Sequence, residues 1–233
     1  MQARSVGGGG SGGGVNFIIN GKFNVNQANY VSGAAVPADK YGHDMWKMGS
    51  VGDAYTFSTV GGVTTATIPS GKVLQQIIEG VNLESDTYVL RWAGTAQGKI
   101  GAGSYGTSGI TYSVTGGSNL TIEFGPGTVS KVEFMVVGDI SRKRMYPEEL
   151  ILCQRHYEKS GINPIYALKR GSTDANPHAY VWFKQIKRAI PAVLISWTTG
   201  TGQTTIVGMD GFAGVAAADD FEGIAAWTAS ARL

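Results

Sequence analysis

The chain has 233 residues, of which 42% are hydrophobic and only 15% charged, and it carries 35 glycines. The 19 Lys and Arg residues nearly balance 17 Asp and Glu, leaving a net charge of +2. The low charge and the many glycines argue against a disordered chain and a helical bundle, and with that balance no basic stripe beyond Arg142, Lys143 and Arg144 offers nucleic acid a footprint. No apolar run reaches the roughly 18 to 20 residues that cross a bilayer, so membrane insertion is not expected. The single cysteine, Cys153, allows no intrachain disulfide and no cysteine-based metal cluster.

Residues 1–14, MQARSVGGGGSGGG, read as a flexible linker rather than a signal peptide. From Val15 the pattern is strand, turn, strand. Val15–Ile19 is an apolar run closed by Asn20-Gly21, a turn signal. Tyr55–Val60 and Val63–Ile68 flank Gly61-Gly62 as a hairpin. Val73–Ile78 follows. Thr87–Ala93 alternates, with Tyr88, Leu90 and Trp92 on one face. Gly109–Val114, Leu120–Phe124 and Val129–Val137 continue the series. Short strands at this spacing predict an all-β sandwich over residues 15–145.

Residues 146–233 are expected to form a helix and a smaller C-terminal β domain. Pro147–Ser160 has Pro at the first helical position, Glu148 and Glu149 at the positive end, and Arg155 and Lys159 near the negative end. Tyr146, Leu150, Cys153 and Tyr157 recur at helical spacing as its buried stripe, and Gly161 suits the C-terminal cap. Strands are expected again at Ala179–Phe183, Ala192–Trp197, Thr204–Met209, Phe212–Ala217 and Gly223–Ala229.

Catalytic motifs are weak. Gly101–Gly106 fits G-x-G-x-x-G, but a strand-like stretch follows where a dinucleotide site needs a helix. His43, His156 and His178 are scattered and form no metal pair. The acid pairs Glu79 with Glu84, Glu123 with Glu133, and Asp219 with Asp220 offer the two carboxylates of glycoside hydrolysis, without a second signal. No cofactor is expected. Asp39 and Asp44 offer oxygen ligands for a structural calcium, but at no EF-hand spacing.

The aromatic residues carry more. Sugar rings present apolar C–H faces to Tyr and Trp, while carboxylates and amides bond their hydroxyls. The candidate carbohydrate-binding residues are Tyr41, Asp44 and Trp46 in one loop, Tyr105 beside a glycine-rich turn with Tyr112, and Tyr180 with Trp182 on one strand face. Trp92 and Trp227 sit in apolar alternation and are assigned to the core.

Three stretches resemble bacteriophage and prophage tail-fibre proteins. NFIINGKFNVNQ (Asn16–Gln27) with YGHDMWKMG (Tyr41–Gly49) resembles the opening of the carbohydrate-binding-like sandwich in such fibres. Asp44 and Trp46 match its D-R-W segment, and Met45 replaces the arginine. Tyr88–Ile100 is similar to its central strand. Val129–Ser160 resembles the segment ending in E-L-x-x-C-Q-R-Y-Y, matched at Glu149, Leu150, Cys153, Gln154, Arg155 and Tyr157, with His156 departing. Phe183 with Ile186–Pro191, Gly211-Phe212 and AAWTASARL resemble the close, where Ser230 and Arg232 replace acids.

The resemblance implies a jelly-roll sandwich, a short C-terminal β domain and homotrimeric assembly in a virion. It implies a non-catalytic fibre tip attached to bacterial surface polysaccharide, with other fibre or baseplate proteins reached through the N-terminus. The rival readings are a polysaccharide-degrading spike fragment and a ligand-free trimerisation module.

Overall fold

A computed structural model describes residues 14–160, 165–168, 178–197, 202–216 and 222–233. Among these the chain is built of antiparallel sheets with one short α-helix. The strands in chain order begin with β1 Lys47–Met48, β2 Thr56–Val60, β3 Val63–Ile68, β4 Leu74–Ile78 and β5 Asp86–Ala93. They continue with β6 Gly98–Ile100, β7 Ile110–Val114, β8 Leu120–Phe124 and β9 Gly127–Val136. One sheet runs β1-β4-β8-β6 and the other β2-β3-β9-β5-β7.

Alternation decides which side chains face inward. Tyr88, Leu90 and Trp92 of β5 are 1%, 0% and 7% exposed. They join Leu74 and Ile78 of β4, Ile122 and Phe124 of β8, and Val132 and Phe134 of β9 in one core shared by both sheets. The Trp92 ring meets Phe124 edge-on at 5.1 Å, which ties one sheet to the other. The β2–β3 hairpin turns through Gly61 and Gly62 at φ +57° and +74°, the left-handed pair that a two-residue turn requires.

Val15–Ile19, expected as a strand, forms none. Side chains replace the ladder there. Asn16 Oδ1 accepts from Phe134 N and Ile18 N, and the Gln76 amide bonds both Ile19 N and Ile19 O. Gly21 is required by close approach, because a Cβ there would lie 2.2 Å from Val132 O.

The helix α1 spans Tyr146–Gln154, shorter than the predicted Pro147–Ser160. Glu148 accepts from Met145 N and so closes the first turn. The expected stripe holds at Cys153, fully buried, but Tyr146 is 54% exposed. Arg155 and His156 form a turn, and Tyr157–Lys159 leaves the helix to become β10. Its partner is β16, Glu222–Ser230, more than sixty positions on, a pairing that outweighs the local helical pattern. Gly161 lies outside the described residues.

The remaining strands are β11 Ile165–Leu168, β12 His178–Trp182, β13 Ala192–Trp197, β14 Gly202–Val207 and β15 Gly211–Ala216. β16 pairs with β10, β11 and β13, while β15 lies between β12 and β14. Phe183, Phe212, Trp227 and Ala229 form a second, smaller core, with Val181, Val193, Ile195 and Val207 packed on it. No helix among the described residues is long and apolar enough to cross a membrane.

Candidate functional site

The site is built on the outward face of the β1-β4-β8-β6 sheet. The register aligns Lys47 with Gln75, Gln75 with Glu123, and Glu123 with Lys99, a polar row across all four strands. Their neighbours Leu74, Phe124 and Ile100 are core residues, so strand alternation sends this row outward. Glu123 gathers its neighbours. Lys99 Nζ lies 2.8 Å from Oε1, the Tyr105 hydroxyl donates to the same oxygen, and the Gln75 amide donates to Oε2. Burial works against the Glu123 charge, but these three donors together outweigh it and hold the carboxyl below its usual range.

Tyr105 reaches the row because the glycine-rich turn folds back on the sheet. Gly98 and Gly106 exchange two backbone hydrogen bonds of 2.9 Å. A Cβ on Gly106 would lie 2.5 Å from Ile110 Cγ2, and one on Gly103 would press on the Tyr112 ring at 3.1 Å. The turn leads into β7, so the G-x-G-x-x-G spacing belongs to a close-packed β turn. Tyr105 is 40% exposed, with the Lys99 ammonium 5.0 Å from its ring centre. Burial, then the Glu123 bond, raises the pKa of its hydroxyl, which stays protonated as a donor.

Two hollows flank this contact. One of about 300 Å³ is walled by Tyr105, Tyr112, Ser104 and Thr111. The other, about 260 Å³, is walled by Gln75, Glu123, Lys72 and the loop Met48–Gly52. Both are near the lower end of ligand sites, ~300 Å³. Together they offer an exposed ring, hydroxyls, an amide and a fixed carboxylate to a small polar ligand.

The loop expected to bind sugar, Tyr41 to Trp46, is placed elsewhere. Trp46 is 0% exposed, stacked on Phe23 at 4.7 Å, with its indole N–H donating to Asn20 O. Asp44 is 1% exposed and accepts from Gln27 N, from the Gln27 amide and from Arg232. The Arg232 guanidinium lies between two rings, 4.6 Å from that of Tyr41 and 3.9 Å from that of Tyr157. The Tyr41 hydroxyl donates to Leu233 O. These residues therefore join the N-terminal sheets to the C-terminal end of the chain and present no open binding face.

Tyr180 and Trp182 on β12 are 66% and 72% exposed, while Val181 between them packs inward. Gln75, Lys99 and Glu123 were not among the sequence candidates for sugar binding. Their only signal was polar residues at outward positions of apolar strands, and strand pairing alone makes them one row.

The other chemical candidates are committed to structural partners. Glu79 bonds Arg155 and Arg188, each at 2.5 Å, and burial is outweighed by these bonds so that its carboxyl also sits low. Glu84 is exposed, and Glu133 faces Arg91 across the β5–β9 pair. Asp39 meets Lys47 at 3.7 Å. No three His, Cys, Asp or Glu side chains converge among the described residues. His43 and His156 are buried, which lowers each to about 4. His178 lies in β12, and Asp219 and Asp220 lie outside the described residues. No protein-family model, no curated protein and no solved structure matches the chain.

Proposed function

We propose that the chain is a non-catalytic adhesion protein, the receptor-binding tip of a phage or phage-like fibre, which holds bacterial surface polysaccharide on the Tyr105 face. The observation that carries this reading is the exposed Tyr105 ring set over the Lys47–Gln75–Glu123–Lys99 row between two ring-sized hollows. In this reading the two N-terminal sheets are a jelly-roll sandwich of the carbohydrate-binding kind. Sugar C–H faces lie on Tyr105, and hydroxyls bond Glu123, Gln75 and the rim hydroxyls.

A binding role is favoured over hydrolysis by the state of the acids. Glycoside cleavage needs one carboxyl kept protonated near neutral pH. Glu79 and Glu123 are both held ionised by cations, with lowered pKa values. The reading needs no cofactor. It includes a homotrimer at the virion's tip, joined to other fibre or baseplate proteins through its N-terminus. Three weak sites on one particle then gain on the order of 100-fold by avidity.

The test is binding of the full chain to an array of purified bacterial capsular and O-chain polysaccharides, beside Tyr105→Ala. The unaltered chain is expected to bind at least one polysaccharide, and the variant to bind it on the order of tenfold more weakly with an unchanged melting temperature. Equal binding by the variant removes Tyr105 from the site. Reducing ends released from a bound polysaccharide overturn the non-catalytic reading.

A further inference from the structure

We infer that the joint between the N-terminal sheets and the C-terminal strands is an acid-operated hinge, in which a proton taken up by His156 parts the two units while each keeps its fold. This does not rest on the adhesion reading. The chain crosses the joint at the turn Arg155-His156, between α1 and β10. Among the described residues, each apolar cluster stays on one side. Leu150 and Cys153 of α1 pack on Ile19, Val25 and Met45, while Phe183, Phe212 and Trp227 pack within the C-terminal strands. The bonds that cross are polar: Glu79 to Arg155 and Arg188, the Gln27 amide to Tyr157 O, Asp44 to Arg232, and the Tyr41 hydroxyl to Leu233 O. A joint within one chain that lacks a large apolar contact is expected to move.

His156 lies in this joint, 2% exposed, and its carbonyl accepts from Ala231 N at 2.7 Å. Its ring feels Glu79 from the end of β4, Arg155 from its own turn, Arg188 from the segment between β12 and β13, and Arg232 from the last residues. Three of these are cations, and the anion Glu79 is already bonded to two of them. Beyond Arg232 lie Asp44, Tyr41 and Tyr157, which are committed to that guanidinium. The buried side-chain atoms without a hydrogen-bond partner among the described residues, His156 Nδ1 and Arg232 Nε, both belong to this joint. In an imidazolium both ring nitrogens donate, so a protonated His156 leaves a buried N–H at Nδ1 with no acceptor there. It also adds a further positive charge beside three guanidiniums.

The direction follows from the charges. Burial first, with the three guanidiniums added, lowers the ring from 6.5 to about 4 against the pull of Glu79. In the parted state water reaches the ring, which then titrates at its ordinary value of about 6.5. The closed joint therefore keeps its full strength above pH 6.5 and weakens as pH falls from 6.5 to 4, by on the order of 100-fold in the closing equilibrium. Glu79 acts the same way at lower pH. Its carboxylate holds Arg155 and Arg188 above the ordinary carboxylate range and releases them as pH falls through its depressed value. Parting relieves the charge without disturbing a core, since none of the four groups belongs to an apolar cluster.

The experiment follows the unaltered full chain, His156→Gln, His43→Gln and Glu79→Gln by small-angle scattering and circular dichroism from pH 7.5 to 4. The unaltered chain is expected to gain in radius of gyration as pH falls from 6.5 to 4, reversibly, at constant mass and constant strand signal. His156→Gln, which takes up no proton, is expected to stay closed through that window, and His43→Gln to part as the unaltered chain does. Glu79→Gln leaves the ring facing three cations and no anion, and is expected to part at a higher pH; parting at the same or a lower pH overturns the inference. A constant radius in the unaltered chain overturns it, as does parting of His156→Gln at the unaltered pH. A gain in radius that comes with changed mass or lost strand signal marks dissociation or unfolding and overturns it too. Should His156→Gln fail to fold, nuclear magnetic resonance of the His156 ring in the unaltered chain decides. A titration midpoint that coincides with parting supports the hinge, and one that does not overturns it.

Discussion

At the residue scale, burial without compensation sets the acid sensitivity of this fold. His43 is 1% exposed, packed edge-on against Phe23 and Phe57, with Nδ1 2.8 Å from the Tyr55 hydroxyl. Burial alone lowers it from 6.5 to about 4. The unfolded chain binds this proton below about pH 6.5 and the folded chain only near 4. Stability from His43 is thus complete above pH 6.5 and falls across the window from 6.5 to 4, by on the order of 3 kcal/mol. Melting curves from pH 7.5 to 4 are expected to drop in that window, and His43→Gln to flatten the drop. Equal slopes for the two proteins would falsify the assignment. Glu79 acts lower still. Its stabilisation is present above the ordinary carboxylate value and is lost as pH falls through its depressed folded value.

At the scale of elements, β10 is held by charge as well as by its ladder. Glu158 and Lys187 are 1% and 0% exposed, with Nζ 2.7 Å from Oε2. Gln154 O and Gln185 O complete the ammonium's bonds, and the Phe183 ring lies 4.5 Å beneath it. The pair pins the segment between β12 and β13 to β10, and the bond to Gln154 O ties it to the end of α1. Lys187→Met leaves the Glu158 carboxylate buried without its cation and is expected to cost about 3 to 5 kcal/mol. Adding Glu158→Gln removes the orphaned charge while keeping an acceptor for Lys184 N, so most of the loss should return. Urea midpoints of the two variants check this. If the double variant is the less stable, charge is not what holds the segment.

At the scale of the molecule, the Tyr41–Asp44 loop meets the last residues of the chain. Tyr41 and Leu233 bond across 192 positions, and Arg232 fills the space between Tyr41, Tyr157 and Asp44. Arg232→Ala removes a cation from a site where Asp44 is 1% exposed, and about 3 kcal/mol of destabilisation is expected. Arg232→Lys should rescue little, because a lysine cannot stack a planar group between two rings. Scanning calorimetry should show the C-terminal strands melting ahead of the N-terminal sheets in Arg232→Ala. A single transition at the unaltered temperature would remove the clamp from the account. The proposed assembly is checked by light scattering on the eluted chain, with and without chelator. A chelator-insensitive trimer supports the fibre-tip reading, and a monomer sinks its assembly part.

The sequence by itself determined the all-β class, the Gly61-Gly62 hairpin, the inward face of β5 and the core positions of Trp92 and Trp227. Each depends on local alternation or turn chemistry, which a window of a few residues contains. It also exposed Tyr105 as a ring beside a glycine-rich turn. Only the tertiary structure decided the rest. Tyr157–Lys159 has helical spacing but becomes strand, because β16 offers it a ladder. Asp44 and Trp46 have the chemistry of a sugar site but are covered, because Asn20, Phe23 and Arg232 close over them. Glu123, Gln75 and Lys99 lie far apart in the chain and become one row only through strand register. Long-range pairing decided these outcomes, since burial and register are set by partners that no local pattern names.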